Sequence, residues 1–589
     1  MYSLETTSNI SLRSYVVSKI AIVDFPDQWP DLLPAVLNVM PNGADAQLHG
    51  ALRILQDLVE ESLTDTQFTQ VARDIINACH AVALNENRKF THRSLAVLVF
   101  RSCFDLMDIV KDDNKVEVKR FAEDVLTTWL PFLLQVIQSP LPVQEVAISG
   151  NSQPQGWIGP IALKVQTVKT LIKIKLVFRS LLQAQSVDFF KATWDELSKL
   201  QDSYRQLFVE ADAQGRLEDI DGLPFTLDFL VLDELDLLNQ LMRAPPVQKE
   251  LDAAIAQHAN VVHETPWVLE LMELLISYSR ITQEEEGLWE IDVSLYLAEE
   301  TSVSSNYTAR TACGDLLIKI GEWLNIRALE GLFAYTKTLF TDAGDWRRQE
   351  ASLYLFNALV SDFQEMDKQV PPEVGHAYSE LVNYATNRED EPVLQARGFL
   401  AAGTLAQSYP PTANLLNNAL SLMVKSESEI VQVACVKAIE GFIKAGVSPD
   451  RQGEIIAAIK AFLDARDMTE MEDADDLLAT LLETIRATIN MDIRIALQPE
   501  NQALNLLFLV AKHGAANFQV TGIVCEAFED IARTLTDPAS YTAFCTNALP
   551  LITNSIDASN VMNENPLTTV RTNMRSLPTS ARITHANLK

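Results

Sequence analysis

The sequence predicts an all-α fold in the form of a solenoid, a linear array of antiparallel helix pairs. The first observation is internal self-similarity: four segments of the C-terminal half share a small residue followed by apolar residues at +4, +5 and +8. The small residues that open these segments are Ala312, Ala351, Ala396 and Ala434. The second observation is their spacing of about 40 residues. The third is helical apolar periodicity along most of the chain, with almost no strand-like alternation.

The repeat pattern continues towards the C-terminus and sets the size of the array. Ala474 continues the series after a similar step, and Ala503 repeats the pattern after a shorter one. A period near 40 residues with two helices per unit is the signature of HEAT-like repeats, and the chain then holds roughly ten to thirteen helix pairs. Because neighbouring repeats share one continuous core, we expect soft domain boundaries.

Near the N-terminus, the stretch IAIVDFPDQWPDLLPAVLNVM predicts a sharp corner between two helices. Pro26 disfavours the helical conformation in Phe25 and lacks a backbone donor, so the first helix should end there. Pro30 fits the first turn of the next helix. At Pro34 we expect a kink or a missing hydrogen bond, and we expect Trp29 to lie wedged in the corner.

The rest of the N-terminal half predicts two further helix pairs and then a loop. The pairs are GALRILQDLVEES with QFTQVARDIINACHAVAL, and FTHRSLAVLVFRSCFDLMDIV with VEVKRFAEDVLTTWLPFLLQVI. A loop rich in proline and glycine follows, and the helix after it is locally basic. The predicted divisions are N-terminal repeats, this loop, acidic central repeats, regular repeats and a disordered tail: 1–138, 139–160, 161–300, 301–569 and 570–589.

The net charge of −32 is the strongest compositional feature. Residues 201–300 alone hold 22 acidic and 5 basic residues. Such a balance argues against direct nucleic-acid binding, which gains its affinity from basic contacts to phosphates. Two explanations stay open: the acidic residues keep a large helical surface soluble, or they attract basic partners.

Cysteine usage and hydropathy point to an intracellular chain. The six cysteines are scattered without a CxxC pair or a metal-type spacing, so we expect buried, reduced thiols and no metal site. No apolar run approaches the length of a membrane span, and the N-terminus lacks the pattern of a secretory signal. We therefore predict no membrane insertion.

Motifs of enzymes are not found in the sequence. It contains no P-loop, GxSxG or HExxH motif, and HETPW lacks the second histidine of a zinc site. We expect no catalytic residues, no cofactor and no enzymatic activity. His49, at the start of a helix, and His92, next to Arg93, are expected to be surface or capping residues.

Three acidic stretches are candidates for partner binding, each with a simpler structural explanation. FVEADAQGRLEDIDGLPFTLDFLVLDELDLL contains either an amphipathic helix with an acidic solvated face or a partner site. EEEGLWEIDVSLYLAEE is either an acidic loop between repeats or a second such site. In EMEDADDLL, the carboxylates at a helix N-terminus are explained by the helix dipole.

Two ordered motifs resemble the karyopherin-β (importin-β) family of nuclear transport receptors. SKIAIVDFPDQWPDLLPAVL followed by LHGALRILQDLVEE resembles the early repeats of that family. EEEGLWEIDVSLYLAEE with NYTARTACGDLL resembles a second landmark, an acidic stretch with a Leu-Trp pair followed by a helix that carries an arginine. The stretch ALNENRKFTHRSLAVLVFRSCFDLMDIVKDD is most similar to the importin-9 branch in its fungal form. The resemblance runs from about residue 10 to 569, and its structural motif residues are Asp24, Phe25, Pro26, Trp29, Pro30 and Arg310.

The resemblance implies a nuclear import receptor with a superhelical HEAT array. Such receptors carry basic cargo through the nuclear pore, bind nucleoporin FG repeats and release cargo when the GTP form of Ran binds. For this branch it implies cargo such as a core-histone dimer or the TATA-binding protein, a monomeric state, and shuttling between cytoplasm and nucleus. Compared with the family, the chain is expected to be truncated at both ends. The alternative is a HEAT scaffold for protein–protein interactions without Ran dependence.

Site residues follow from charge and helix position within this framework. We expect Ran to contact the second helices of the early repeats, at Gln67, Gln70, Arg73, Asp74, Asn77, Glu117, Arg120 and Asp124. We expect basic cargo to contact the two larger acidic stretches, at Asp228, Asp233, Glu234, Asp236, Glu284, Glu285, Glu286, Trp289 and Asp292.

Overall fold

The structure, a computed structural model, is helical and forms two compact units. The first unit comprises described residues within 1–278 and 308–319, and the second those within 279–307 and 320–589. The described residues are 16–17, 19–21, 23–25, 28–143, 152–301, 307–341, 344–469, 471–472, 474–498, 500–514 and 516–554. The predicted disordered tail and Pro26 lie outside them, and the predicted loop lies partly outside. The predicted domain divisions stay a prediction.

Helices account for nearly all of the regular structure in the described ranges, where the only strand-like pairing is an isolated bridge between Glu218 and Pro224. In chain order the helices up to residue 278 are α1 (Leu32–Asn42), α2 (Asp45–Asp57), α3 (Asp65–Leu84), α4 (Phe90–Gln138), α5 (Ile158–Val177), α6 (Ser186–Tyr204), α7 (Leu227–Met242), α8 (Pro245–Gln257) and α9 (Pro266–Tyr278). Single π-helical turns, Leu58–Ser62 and Arg205–Val209, extend α2 and α6.

The helices that follow are α10 (Gln283–Ile291), α11 (Ser294–Thr301), α12 (Ala309–Leu324), α13 (Ile326–Thr336), α14 (Trp346–Glu365), α15 (Pro372–Thr386), α16 (Pro392–Leu405), α17 (Ala413–Lys425), α18 (Glu429–Lys444), α19 (Gln452–Asp464), α20 (Asp475–Met491), α21 (Ile493–Ala496), α22 (Ala503–His513), α23 (Phe518–Thr534) and α24 (Pro538–Asn554). These antiparallel pairs confirm the predicted all-α solenoid.

The N-terminal corner differs from its prediction in where the second helix begins. Helix α1 starts at Leu32, after Asp31, so Pro30 precedes the helix. Pro34 is then the third residue of α1, in the first turn, where backbone N–H groups have no intrahelical partner in any case. The expected kink or lost hydrogen bond at Pro34 is therefore wrong. The half-buried Trp29 lies in the corner, and its backbone N–H donates to the carbonyl of Asp24 (N···O 3.0 Å).

Helix α4 consists of two helical segments, which correspond to the predicted helix pair. Asn114 interrupts it with non-helical angles (φ −140°, ψ 51°), and the two segments lie against different neighbours. In the first segment, Arg101 donates to Gln166 of α5 (2.9 Å). In the second, Asp124 accepts from Arg73 of α3 (2.7 Å). The rings of Phe100 and Trp129, one from each segment, stack with their centroids 3.7 Å apart, so the two segments pack on each other and the predicted helix pair is confirmed.

In the second unit, α14, α16, α18 and α20 lie side by side and α15, α17 and α19 form the other row. The two rows differ in burial. In α17 only Leu416, Ala419 and Met423 are buried, a single stripe at helical spacing. Most residues of α16 and α18 are buried around the whole helix. Gly441 and Gly403 let the backbones of α18 and α16 approach, since a Cβ on Gly441 would overlap the Gly403 backbone.

The repeat anchors occupy equivalent places in that row, with one correction. Ala351, Ala396 and Ala434 lie in α14, α16 and α18 and are completely buried. Ala474 does not continue the series, because it precedes the first residue of α20 and is only half-buried. The buried alanine of α20 is Ala479. The Asp475–Asp476 pair in the first turn of α20 agrees with the dipole explanation.

The cysteines of the described residues are all free thiols. Four are buried, as expected, but Cys525 and Cys545 are only half-buried. Burial raises the pKa of Cys103 well above its usual range. Such a thiol is mostly protonated and unreactive at neutral pH.

Candidate functional site

The acidic helix α7 was predicted to present a cargo surface, but its carboxylates face the protein interior. Glu234 is completely buried, and Asp233 has only 14% of its side chain exposed. The basic helix α5 supplies cations to this part of the core: the Lys164 ammonium donates to Glu196 of α6 (2.7 Å), and Lys169 lies 3.8 Å from Asp233. The expectation that Asp233 and Glu234 contact cargo is therefore wrong, because side chains packed in the core are not accessible to a partner.

The electrostatics of this cluster follow from burial. Desolvation raises the pKa of Glu234 well above its usual range, and the neighbouring Glu196 carboxyl raises it further. Desolvation also raises the pKa of Asp233 to about 7, although the Lys169 ammonium opposes the rise. Protonated buried carboxyls cost less free energy than ionised ones, so burial favours the neutral form of both side chains.

The two remaining carboxylates of α7 are also engaged or partly covered. Asp228 lies 3.6 Å from Arg216 and accepts a hydrogen bond from the Tyr204 hydroxyl (3.3 Å). Asp236 is half-buried. Neither lies on an open acidic face, so α7 as a whole is a core helix.

The acidic run of α10 is divided between structural roles and solvent. Glu285 closes a capping box, accepting from the backbone N–H of Thr282 (2.8 Å). Glu286 pairs with Arg347 of α14 (2.6 Å). Asp292 accepts from the N–H of Ser294 (2.9 Å), between α10 and α11.

Of the same run, Glu284 and Glu290 are exposed. Trp289, predicted as a cargo contact, is only 4% exposed and packs edge-to-face on Tyr296 (centroids 5.1 Å apart). That expectation is wrong, because the indole belongs to the core. The carboxylates open to a partner here are those of Glu284, Glu290 and, in part, Glu286.

The residues predicted to contact Ran come together on one surface of the first unit. Gln67 is half-buried in a capping box, where its side chain accepts from the Thr64 N–H (2.9 Å). The other members are exposed, on α3 and on the second segment of α4: Gln70, Arg73, Asp74, Asn77, Glu117, Arg120 and Asp124.

A salt bridge joins the two halves of this α3/α4 surface. The Arg73 guanidinium contacts Asp124 (2.7 Å) and lies over the Phe121 ring (5.2 Å to the centroid). Beside it runs a groove of about 200 Å³ whose lining is mainly apolar, with Phe68, Met107 and Phe121 among its walls. The surface combines charged side chains with an apolar groove, as protein interfaces do.

A buried polar contact in the first unit lies where the sequence predicted surface or capping histidines. His49 and His92 are buried, at 6% and 3% exposure, so the expected surface role is wrong. The His49 Nε2 lies 3.1 Å from Asp221, whose backbone carbonyl accepts from Arg53 (3.3 Å). The pKa of His92 falls to about 4, chiefly through desolvation.

Asp221 reaches His49 because it lies at the tip of a tight turn. Gly222 adopts φ +74°, a conformation that glycine adopts readily, and Asp219 accepts from the N–H groups of Asp221 and Leu223. The Asp-Gly pair is a turn signal in the sequence. Its partner, 172 residues away, had no such signal.

The motif residues of the resemblance differ in burial. Asp24, Phe25 and Trp29 are half-buried in the corner and Pro30 is exposed, whereas Arg310 is 1% exposed near the start of α12. Across the described residues, no group of His, Cys, Asp and Glu is arranged to hold a metal ion. No described helix is long and apolar enough to cross a bilayer.

A family model described as importin-9 central HEAT repeats matches residues 262–515. Importin subunit beta-5 of Schizosaccharomyces pombe is 26% identical over 560 residues, which cover 93% of this chain and 54% of that protein. Importin subunit beta-5 of Saccharomyces cerevisiae is 18% identical over 586 residues, covering 95% and 53%. The chain thus spans about half the length of these curated relatives.

Solved structures share the fold at low identity. Lph2, a bidirectional nuclear transport receptor of S. cerevisiae, superposes with a TM-score of 0.59 at 12% identity, over 96% of this chain and 58% of that one. Kap95 in its complex with Nup1 superposes with a TM-score of 0.52 at 11% identity, over 98% and 66%. The family model and the beta-5 relatives support the resemblance to importin-β proteins of the importin-9 type, and the solved structures show the shared fold.

Proposed function

We propose that this chain acts in nuclear import, binding basic nuclear proteins and the GTP form of Ran as it shuttles between cytoplasm and nucleus. The observation that carries the proposal is the match to the importin-9 type over the central repeats, residues 262–515. The net charge of −32 supports a basic cargo, such as a core-histone dimer or the TATA-binding protein. The Kap95 structure contains Nup1, which supports a further proposal that nucleoporin FG repeats bind here too.

For cargo, we propose the exposed carboxylates of α10 as contacts in place of the buried ones of α7. Glu284 and Glu290 are exposed, and Glu286 retains 29% of its side-chain surface. Clustered exposed carboxylates attract lysine and arginine side chains and accelerate encounter. Reversal of Glu284 and Glu290 to lysine should weaken binding of the core-histone dimer and reduce its salt dependence.

A matched control is the double reversal of Glu373 and Glu380 to lysine. Both residues are exposed on α15, so their reversal makes the same change of total charge on another helix of the second unit. Equal effects of the α10 and α15 reversals would mean that total charge, and not the α10 run, attracts the dimer.

For Ran, we propose the α3/α4 surface around Arg73 and Asp124. The test of the whole proposal is a titration of the chain with Ran·GTP and, separately, Ran·GDP, with the core-histone dimer as competitor. Preference for the GTP form with displacement of histone is the expected result. Histone binding without any response to Ran would favour the alternative, a HEAT scaffold.

Substitution of Arg73 by glutamate should weaken Ran·GTP binding and leave histone binding intact. Its control is Arg533→Glu on α23, where the arginine is likewise exposed and paired with carboxylates. Equal loss of Ran binding in both variants would remove the α3/α4 surface from consideration.

A further inference from the structure

The segment α10–α11, residues 283–301, makes contacts that simple repeat packing does not explain. In a solenoid each repeat contacts only its neighbours. Helix α11 precedes α12 in the chain, yet it packs on α18 and α20 of the second unit, the latter more than 170 residues further along. Helix α11 therefore contacts repeats that are distant from it in the chain. Its packing accounts for part of the burial around α16 and α18.

One end of the segment is fixed in the core by an arginine cluster. Arg397 of α16 is completely buried, and its guanidinium bonds to Glu350 of α14 (2.8 Å) and lies 3.6 Å from Glu299 of α11. The same guanidinium lies 5.7 Å from the Tyr296 ring and 5.2 Å from that of Tyr354. Buried, paired charges of this kind are costly to separate.

The other end is held by contacts that solvent can reach. The Arg347 guanidinium donates to Glu286 of α10 (2.6 Å), with 14% and 29% of the two side chains exposed. It also lies 4.4 Å from the centroid of the Trp346 ring and 3.4 Å from the Ile281 carbonyl. This end adjoins the exposed carboxylates of α10, so a basic partner bound to that run lies beside Glu286.

We propose that α10–α11 is a releasable clamp on the second unit, closed by the Glu286–Arg347 pair, and that a basic partner opens it by taking Glu286 from Arg347. A lysine or arginine of the partner that pairs with Glu286 leaves Arg347 without its carboxylate. The clamp then depends on the Arg397 cluster and on the core packing around Trp289 and Tyr296, and α11 separates more often from α18 and α20. Cargo binding and the internal freedom of the second unit are thus coupled through one carboxylate. The release step rests on the proposed function, whereas the clamp itself does not.

The clamp is tested in the free chain by amide hydrogen exchange of α11, read by mass spectrometry. Glu286→Gln removes the charge at nearly constant volume and should speed exchange in α11 about three- to tenfold, as expected for the loss of one partly exposed ion pair. Glu290→Gln is the control: it lies on the same helix, is exposed and forms no ion pair within the described part of the chain. Equal α11 exchange in the two variants would overturn the proposal.

The release step is tested by adding the core-histone dimer to the wild-type chain. Faster exchange in α11 on binding, with little further increase in Glu286→Gln, supports the coupling. Bound dimer with unchanged or slower α11 exchange refutes it. Absence of any dimer binding would instead refute the proposed cargo, while the comparison of Glu286→Gln with Glu290→Gln still decides the clamp. A circular-dichroism melt of each variant checks that the unit stays folded.

Discussion

Replacing Asp233 by asparagine should stabilise the first unit at alkaline pH and change little at acidic pH. In the folded chain the pKa of Asp233 is about 7, against an ordinary value of 3.8, because burial disfavours the ionised form. The unfolded chain therefore releases this proton near pH 4 and the folded chain near pH 7. Between these values the unfolded state holds fewer protons, so the free energy of unfolding falls as pH rises.

The size of the effect follows from the difference between the two pKa values. At about 1.4 kcal/mol for each pH unit, ionising Asp233 costs the folded chain roughly 4 kcal/mol more than it costs the unfolded chain. Asparagine has nearly the same shape and cannot ionise, so Asp233→Asn avoids this cost. Its gain in stability at pH 8, relative to its effect at pH 5, should be about 2 to 4 kcal/mol.

Urea titrations at pH 5 and pH 8 measure this difference in the free energy of unfolding. Hydrogen exchange of the α7 amides serves as the readout, so that the unfolding of the first unit is observed. Asp195→Asn is the control, because Asp195 is an exposed carboxylate of the adjacent helix α6. Destabilisation of Asp233→Asn by the same amount at both pH values would refute the reasoning, since it would mean that Asp233 is ionised and held by Lys169. Histone binding should be unaffected by the substitution, because the side chain lies in the core.

Three further substitutions test the packing of both units. Lys164→Met leaves the buried Glu196 carboxyl without its cation and should cost about 3–5 kcal/mol of stability. Urea titrations should show a larger loss of stability at pH 8 than at pH 5, and an equal loss at both would contradict the pairing. Arg397→Met should destabilise the second unit by a similar amount, whereas Arg388→Met, whose partner carboxylate is largely exposed, should cost less than about 1 kcal/mol in guanidinium titrations. Gly441→Ala should cost about 1–3 kcal/mol of stability, because the added methyl group overlaps α16. Gly287→Ala should stabilise α10 by up to about 1 kcal/mol, because its methyl group meets open space. Calorimetric melts in which both substitutions shift the stability in the same direction would exclude this explanation.

The helix pairs were predictable because their signals are local. Apolar residues at helical spacing placed the helices, and the shared alanines placed Ala351, Ala396 and Ala434 at equivalent sites. The error at Ala474 arose because the start of α20 depends on the chain preceding it, which a repeat count does not contain. The misplaced start of α1 has the same cause.

The candidate cargo site was predictable only in part, because burial is not a local property. Charge showed that α7 is acidic, but not that Lys169, more than 60 residues earlier, would lie against Asp233. In α10 the same reasoning selected a run in which Glu284 and Glu290 are exposed, but it also selected Trp289, which is part of the core. Alternation of charged and apolar residues cannot distinguish a solvated face from one covered by another helix.

The sequence by itself determined the helix-pair architecture, the acidic charge and the resemblance to importin-β proteins, since periodicity, composition and motifs are properties of the linear chain. Only the tertiary structure decided which charges are available to a partner. Asp221 meets His49 across 172 residues, and α11 lies on α20, through contacts between surfaces whose shapes no local pattern encodes. A carboxylate that folding leaves in solvent is available to a partner, whereas one that folding buries is desolvated and becomes part of the core. The size of the desolvation penalty depends on the neighbours that folding brings together.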